Sequence, residues 1–171
     1  VAGICGLKCM DIIQMEASME LGIPLGRFNH LGMVVKDLDK AIKHYESLGI
    51  GPFKMANQKY KSRTLLGRPV PPDVVLTKVA TAQAGPLHIG LIQPIAEETH
   101  WMEFLKTKGE GVNHLGFFTD DYDQENAKLI EKGHKIIYEC AYELPNGTTG
   151  RASYFDTDKV GGILIEPIEM R

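Results

Sequence analysis

Apolar residues recur along the chain with strand spacing, then helical spacing, twice over. Residues 28–35, running from Phe28 to Val35, form an apolar run of strand length rich in aromatic and β-branched side chains. Asp37 follows where a helix N-cap belongs, able to accept a free backbone N–H. Leu38, Ala41, Ile42, Tyr45 and Leu48 then recur at helical spacing and predict one buried face, and Gly49 is placed to end the helix in the left-handed conformation. The second half repeats the pattern. A strand over 112–119 leads to Asp121 as cap, to a helix reaching about Lys132 with Leu129 and Ile130 on its inner face, and to Gly133 as terminator. Strand-like runs follow each helix, near 52–60, 74–81 and 87–93, then near 134–142, 151–155 and 162–168. Asn146-Gly147 marks a tight turn between two of them.

The order is therefore βαβββ twice: a first module over 28–96, a linker over 97–111 whose short helix turns Trp101, Phe104 and Leu105 inward, and a second module over 112–171. Residues 1–27 read as an extension, with Met10, Ile13, Ala17 and Leu21 on one stripe of a short helix. Twisted four-stranded sheets curl, so two set side by side predict an α+β fold: a curled mixed or antiparallel sheet forming a trough, with the helices on its convex side. The proline-rich stretch Arg68–Asp73 cannot sit in a central strand and predicts a rigid loop.

The duplication has a fixed offset of 84 residues. Phe28-Asn29-His30-Leu31-Gly32 matches Val112-Asn113-His114-Leu115-Gly116, and Asp39 and Gly49 recur as Asp123 and Gly133. Equivalent residues of a duplicated module meet across a pseudo-twofold axis, so His30 and His114 are placed to face each other inside the trough, as a metal site requires. Glu166 lies in the apolar strand Ile163-Leu164-Ile165-Glu166-Pro167-Ile168. A carboxylate buried there needs a partner, and a metal ion is one such partner.

Composition narrows the function classes. With 171 residues, 43% of them hydrophobic, the chain can bury one core. A net charge of −3 and no basic run argue against a nucleic-acid surface. No apolar stretch approaches bilayer length and no secretory leader is evident, so neither membrane nor nucleic acid is expected as a partner. Three cysteines, Cys5, Cys9 and Cys140, make no disulfide framework and predict a reducing, cytoplasmic setting. His44, His100 and His134 read as surface residues.

The segments Asn29-His30-Leu31-Gly32 with Asp37-Leu38-Asp39-Lys40-Ala41, Gly109–Phe117, and Gly162-Ile163-Leu164-Ile165-Glu166 resemble the vicinal oxygen chelate superfamily. This superfamily includes glyoxalase, methylmalonyl-CoA epimerase, extradiol dioxygenases and bleomycin-resistance proteins. The resemblance covers residues 28–169 and is nearest the epimerase and glyoxalase-like branch. It implies one divalent ion (Zn, Co, Ni, Mn or Fe) held by a first-strand and a fourth-strand residue of each module. His30, His114 and Glu166 fall on three of those positions. The fourth falls on Gly90, which has no side chain; His88, two residues earlier on the same strand face, is the favoured substitute. Gln93 is the alternative, but its odd offset turns it to the opposite face unless a bulge intervenes.

The resemblance further implies a homodimer and an enzyme that stabilises an enolate or enediolate, with Glu166 moving the proton. The substrate is then a small carbonyl compound or thioester, as for an epimerase, isomerase or lyase. No acid occurs from Phe53 to Pro72, where epimerase-like relatives carry a second glutamate. Lys59, Lys61 and Arg63 in that stretch suit an acidic ligand, or simply protect an edge strand. A non-catalytic small-molecule binder of the bleomycin-resistance type, with a degenerate metal site, is the alternative function.

Overall fold

In a computed structural model, residues 26–171 are described; the extension's helix, Cys5 and Cys9 lie outside them. Among the described residues, ten strands and three helices follow in the order β1 (Arg27–Val34), α1 (Leu38–Ser47), β2 (Lys54–Met55), β3 (Lys59–Leu65), β4 (Arg68–Pro69), β5 (Thr77–Ala84), β6 (Leu87–Pro94), α2 (His100–Thr107), β7 (Gly111–Phe118), α3 (Tyr122–Glu131), β8 (Ile136–Glu143), β9 (Thr149–Phe155) and β10 (Leu164–Met170). The strands form one mixed sheet in the order β2-β5-β6-β1-β7-β10-β9-β8-β3-β4, curled into a half-barrel. The pseudo-twofold axis passes between β1 and β7, which pair antiparallel at the centre. Each is flanked on its outer side by the last strand of its own half, β6 or β10, in parallel.

The helices begin and end as the pattern predicts. The Asp37 and Asp121 carboxylates accept from Lys40 N and Gln124 N, both at 3.0 Å. Gly49 and Gly133 take φ of +85° and +88° just past the last turns. Helix α1 buries Leu38 and packs Ala41, Ile42 and Tyr45 on Val35, Ala80, Ile89 and Leu91, while α3 buries Tyr122 and Leu129. Leu48 and Ile130, expected on the buried faces, are 62% and 53% exposed. Both lie in the last turn or cap of their helices, and Ile130 is turned away from the face on which Leu129 is buried. Helix α2 caps the trough, and Trp101 is buried against Tyr138 and Tyr154 of the inner face.

One feature departs from two equal modules. The run expected near 52–60 is interrupted: β2 stays with its own half, beside β5, while β3 crosses to pair with β8 at the far edge of the other half. Only residues 56–58 join them. A chain spans at most about 3.6 Å per residue, so the two edges approach within about 14 Å and the crossing partly closes the trough. Prolines shape the turn beyond: Arg68–Pro69 forms a two-residue strand, and the buried Arg63 guanidinium donates to the carbonyls of Pro71 and Val74. No described helix is long and apolar enough to cross a membrane.

Candidate metal centre

The repeated Asn-His-Leu-Gly motif is legible atom by atom at the β1–β7 seam. Antiparallel pairing sets His30 opposite Gly116 and Gly32 opposite His114. Each imidazole therefore lies over the glycine of the other repeat. A Cβ built on Gly32 would stand 1.9 Å from His114 Cε1, and one on Gly116 would stand 2.4 Å from His30 Cε1 and Nδ1. Glycine is required two residues after each histidine because the facing ring occupies the space a side chain would take.

The asparagines have an equally specific place. Between Phe28↔Phe117 and His30↔Gly116, β1 carries one extra residue, Asn29; between Gly32↔His114 and Met33↔Val112, β7 carries one extra residue, Asn113. Each is a β-bulge immediately before its histidine, and a bulge re-aims a side chain that regular alternation would send to the other face. Asn29 Oδ1 thus lies 2.7 Å from His30 Nδ1, and Asn113 Oδ1 lies 3.2 Å from His114 Nδ1. An amide oxygen only accepts, so each Nδ1 carries the proton and each Nε2 presents a bare lone pair.

Those lone pairs converge. His30 Nε2 and His114 Nε2 are 3.0 Å apart, and Glu166 Oε2 lies 3.2 Å from the first and 3.4 Å from the second. His114 is fully buried and Glu166 is 5% exposed. Burial holds the His114 imidazole down at about 3, outweighing the opposing pull of the Glu166 carboxylate, so it is neutral. Burial pushes the Glu166 carboxyl up, but the two histidines more than offset this and hold it below the usual carboxylate range. The two Nε2 atoms and the carboxylate face one another at one point, and Glu166 Oε2 has no hydrogen-bond partner. A divalent cation satisfies all three, and this N,N,O set suits Zn, Co, Ni, Mn or Fe.

The pseudo-twofold register locates the remaining positions. Gly32 pairs with Gly90 as Gly116 pairs with Glu166, so Gly90 is the first-half counterpart of the glutamate. His88 sits beside His30 with ring centroids 6.3 Å apart, half-buried in the same cavity wall, but the three donors converge without it. Burial, with His30 nearby, lowers its affinity for a proton. Gln93 faces away and accepts from Leu38 N at the start of α1.

Sequence reasoning missed Tyr154. Regular alternation on β9 turns Ser153 outward, into a buried hydrogen-bond set with Tyr122 and Asn126, and turns Tyr154 inward. Its buried hydroxyl lies 3.5 Å from His114 Nε2 and close enough to the Glu166 carboxylate to help hold it ionised. No motif marks it; only the strand phase of β9 relative to Glu166 would have. His100, expected at the surface, stacks on Trp101 at a centroid distance of 3.8 Å with both ring nitrogens covered and unpartnered, and burial holds it at about 3. His44 is exposed as expected, and His134 is half-buried with Nδ1 3.7 Å from Asp156.

The donors open onto a cavity of about 800 Å³ between the two halves of the sheet. Its first-half wall carries Lys54, Thr77, Thr81, His88 and Gly90; its second-half wall is aromatic, with Tyr138, Tyr142 and Tyr154 beside Trp101. Cys140 also lines it, and burial pushes that thiol up to about 12, so it is an inert wall residue. Among the described residues, Glu166 is the one acidic group in the lining.

A family model for the glyoxalase/bleomycin resistance protein/dioxygenase superfamily matches residues 29–155. The chain is similar to the mitochondrial methylmalonyl-CoA epimerase of Bos taurus, 28% identical over 144 residues that cover 83% of this chain and 73% of that protein. The crystal structure of methylmalonyl-CoA epimerase from Mycobacterium tuberculosis superposes with a TM-score of 0.61 at 24% identity, covering 88% of this chain and 92% of that one. A methylmalonyl-CoA epimerase in complex with methylmalonyl-CoA and NH4+ gives 0.59 at 22% identity, with 84% and 94% covered.

Proposed function

Because this chain belongs to the glyoxalase/bleomycin resistance protein/dioxygenase superfamily, we propose that it is a metal-dependent enzyme of the isomerase or epimerase type, acting on a small carbonyl or thioester substrate. The observation that carries this reading is the convergence of three metal-ligating groups, His30 Nε2, His114 Nε2 and Glu166 Oε2, at the cavity wall. A divalent ion bound there supplies a Lewis acid that draws electron density from a substrate carbonyl and stabilises negative charge as a proton leaves the adjacent carbon.

The protein's own groups have separable roles. Asn29 and Asn113 hold both imidazoles in the Nδ1–H tautomer. Tyr154 orients the Glu166 carboxylate from the buried side. Glu166, the one acid in the lining, carries the proton between the substrate carbon and the cavity. The aromatic wall and the β2–β3 crossing exclude water from that exchange. The methylmalonyl-CoA epimerase relatives support a thioester as the substrate class. Glu166 standing alone as acid favours a second reading, a binding protein that keeps the cavity without turnover.

Metal content after purification without chelator or metal-affinity resin tests the centre. Stoichiometric divalent metal, lost in His30→Ala and Glu166→Ala, is expected. Deuterium wash-in at the α-carbon of malonyl-type thioesters and hemithioacetals then separates the readings: exchange that disappears in Glu166→Gln supports the enzyme. Metal with no exchange on any of these supports the binder.

A further inference from the structure

Of the cations on β3, Lys59, Lys61 and Arg63, only the arginine is hidden. Both lysines are exposed, and Lys61 pairs with Glu143. Arg63 is 5% exposed, so it is no solvated guard of an edge strand. A guanidinium stays charged, and a charge taken out of water needs a partner of opposite sign. Arg63 makes no ion pair among the described residues.

Its hydrogen bonds account for only part of its donor set. Nη2 donates to the carbonyls of Pro71 and Val74, and the guanidinium lies over the Tyr60 ring, 4.4 Å from its centre. Nε is covered and has no acceptor, and Nη1 makes no hydrogen bond among the described residues. The Nε–H and both Nη1–H groups are left over.

Arg63 lines a chamber of about 150 Å³ beneath the proline-rich turn, walled also by Tyr60, Tyr138, Thr77 and residues 72–76. Tyr60, Thr77 and Tyr138 line the main cavity too, so the two spaces adjoin, but none of His30, His114 and Glu166 lines the chamber. Asp73, the one acid in its lining, is exposed and makes no ion pair with the guanidinium. Pockets for whole ligands run to about 300–1,000 Å³, so this chamber takes a single small group. One fixed positive charge, left-over N–H donors and mostly apolar walls select a group with one negative charge and acceptor oxygens. A phosphate would bring a second charge, and the lining holds no second cation for it.

We infer that the chamber is a carboxylate-binding site: the buried Arg63 guanidinium receives a short acid, or the acidic tail of a molecule whose body lies in the adjoining cavity. The Pro71 and Val74 carbonyls hold the guanidinium in place beforehand, so little side-chain freedom is lost on binding. The site stands apart from the metal centre and does not depend on it.

The test uses the full chain after chelator treatment, so that no metal competes for the acid, and isothermal titration with propionate. Propionamide is the uncharged isostere and inorganic phosphate the rival anion. Propionate is expected to bind one to one, about ten-fold or more tighter than propionamide, as a charge-assisted pair predicts. Arg63→Met is expected to lose propionate by the same factor. That change also frees the turn at Pro71 and Val74, so a second pair of variants leaves Arg63 in place. Thr77→Glu sets a carboxylate in the chamber wall, and Thr77→Gln sets the same shape without charge. Thr77→Glu is expected to bind propionate about ten-fold weaker than Thr77→Gln, and to melt at a higher temperature. A plateau in affinity from propionate to hexanoate supports a free short acid, and a continued rise supports a tail reaching in from the main cavity. The inference is overturned if propionate does not bind, if propionamide binds as tightly, if phosphate binds tighter than propionate, or if the two Thr77 variants bind propionate alike. His30→Ala is expected to bind propionate as the wild type does; loss there would put the acid among the metal-ligating groups and overturn the chamber while leaving that centre standing.

Discussion

Gly90 and Gly32 pair across the middle of the sheet, Gly116 lies diagonal to Gly32 on the next strand, and none of the three has a left-handed φ. Backbone conformation therefore does not demand glycine at any of them, and alanine isolates the effect of a single methyl group. At Gly32 the new Cβ would stand 1.9 Å from His114 Cε1 and 2.2 Å from Nε2. Carbon–carbon contact is favourable at about 3.5–4.0 Å, so the ring must retreat by about 1.5 Å or more. His114 has no free volume to retreat into, being 0% exposed. Overpacking of this kind costs about 1–3 kcal/mol, which for a domain of this size lowers Tm by roughly 2–12 °C.

At Gly116 the overlap is smaller, 2.4 Å to His30, and His30 borders the cavity, so its ring can swing inward. Gly116→Ala is expected to lose less stability than Gly32→Ala. Both are expected to lose metal affinity by more than the roughly 10–100-fold that removing a supporting partner costs, since each displaces a donor. Gly90→Ala meets nothing closer than 3.9 Å and is expected to be neutral or slightly stabilising, with metal affinity intact. Differential scanning fluorimetry of the metal-free proteins and competitive metal titration read the two effects separately. Wild-type metal affinity in Gly32→Ala, or equal losses in all three variants, would refute the ring-over-glycine argument.

Tyr154→Phe removes one buried hydroxyl with little change of shape, so metal affinity is expected to fall about 10–100-fold with Tm nearly unchanged; unchanged affinity in the titration would show that the hydroxyl does not support Glu166. Metal added at about 100 times its Kd is expected to raise stability by about 2.7 kcal/mol in urea titrations of the wild type and not in His30→Ala, and an equal gain in both would place the ion elsewhere. An unfolded histidine takes up a proton near 6.5 but folded His100 only near 3, so the stability from keeping it neutral is complete above 6.5 and drains away as the pH falls towards 3. His100→Phe is therefore expected to make the acid limb of metal-free protein shallower by up to about 1.4 kcal/mol per pH unit, leaving the similar contribution of His114; an unaltered limb would mean that His100 is already wet.

The parts of this fold that local pattern dictates were legible in the chain. Asp37 and Asp121 cap because a carboxylate three residues ahead of a free N–H needs no tertiary help. His30 and His114 could be paired because duplication states symmetry directly in the sequence, and Glu166 stood out as an acid inside an apolar strand. Long-range geometry was hidden. The crossing of β3 to β8 depends on how far the sheet curls, which no local spacing encodes. Tyr154 sits in a strand of ordinary composition, and its role follows from the phase of β9 against β10. His100 follows a helix cap, a position that is usually wet, but Trp101 and the inner-face tyrosines cover it. The bulges at Asn29 and Asn113 leave no trace except the asparagine itself.

Symmetry and its one failure together explain why a duplicated sheet can carry chemistry. Each half supplies a bulge, an asparagine, a histidine and a glycine, and the antiparallel seam interlocks them so that each histidine depends on the other half's glycine. Neither half can form its share of the centre alone, which ties the donor set to the folding of the whole sheet. Perfect symmetry would also place glutamate at both last strands and surround the ion with protein. The second half keeps that glutamate, buried and braced by Tyr154; the first half has Gly90, with Thr81 and His88 at its sides. The substitution costs the protein one donor and leaves room beside the donor set, facing the cavity. Gly90→Glu tests this directly: it restores the symmetry of the donors, so metal is expected to bind tighter than in the wild type. Unchanged or weaker metal affinity in competitive titration would show that a side chain at position 90 does not reach the donor set.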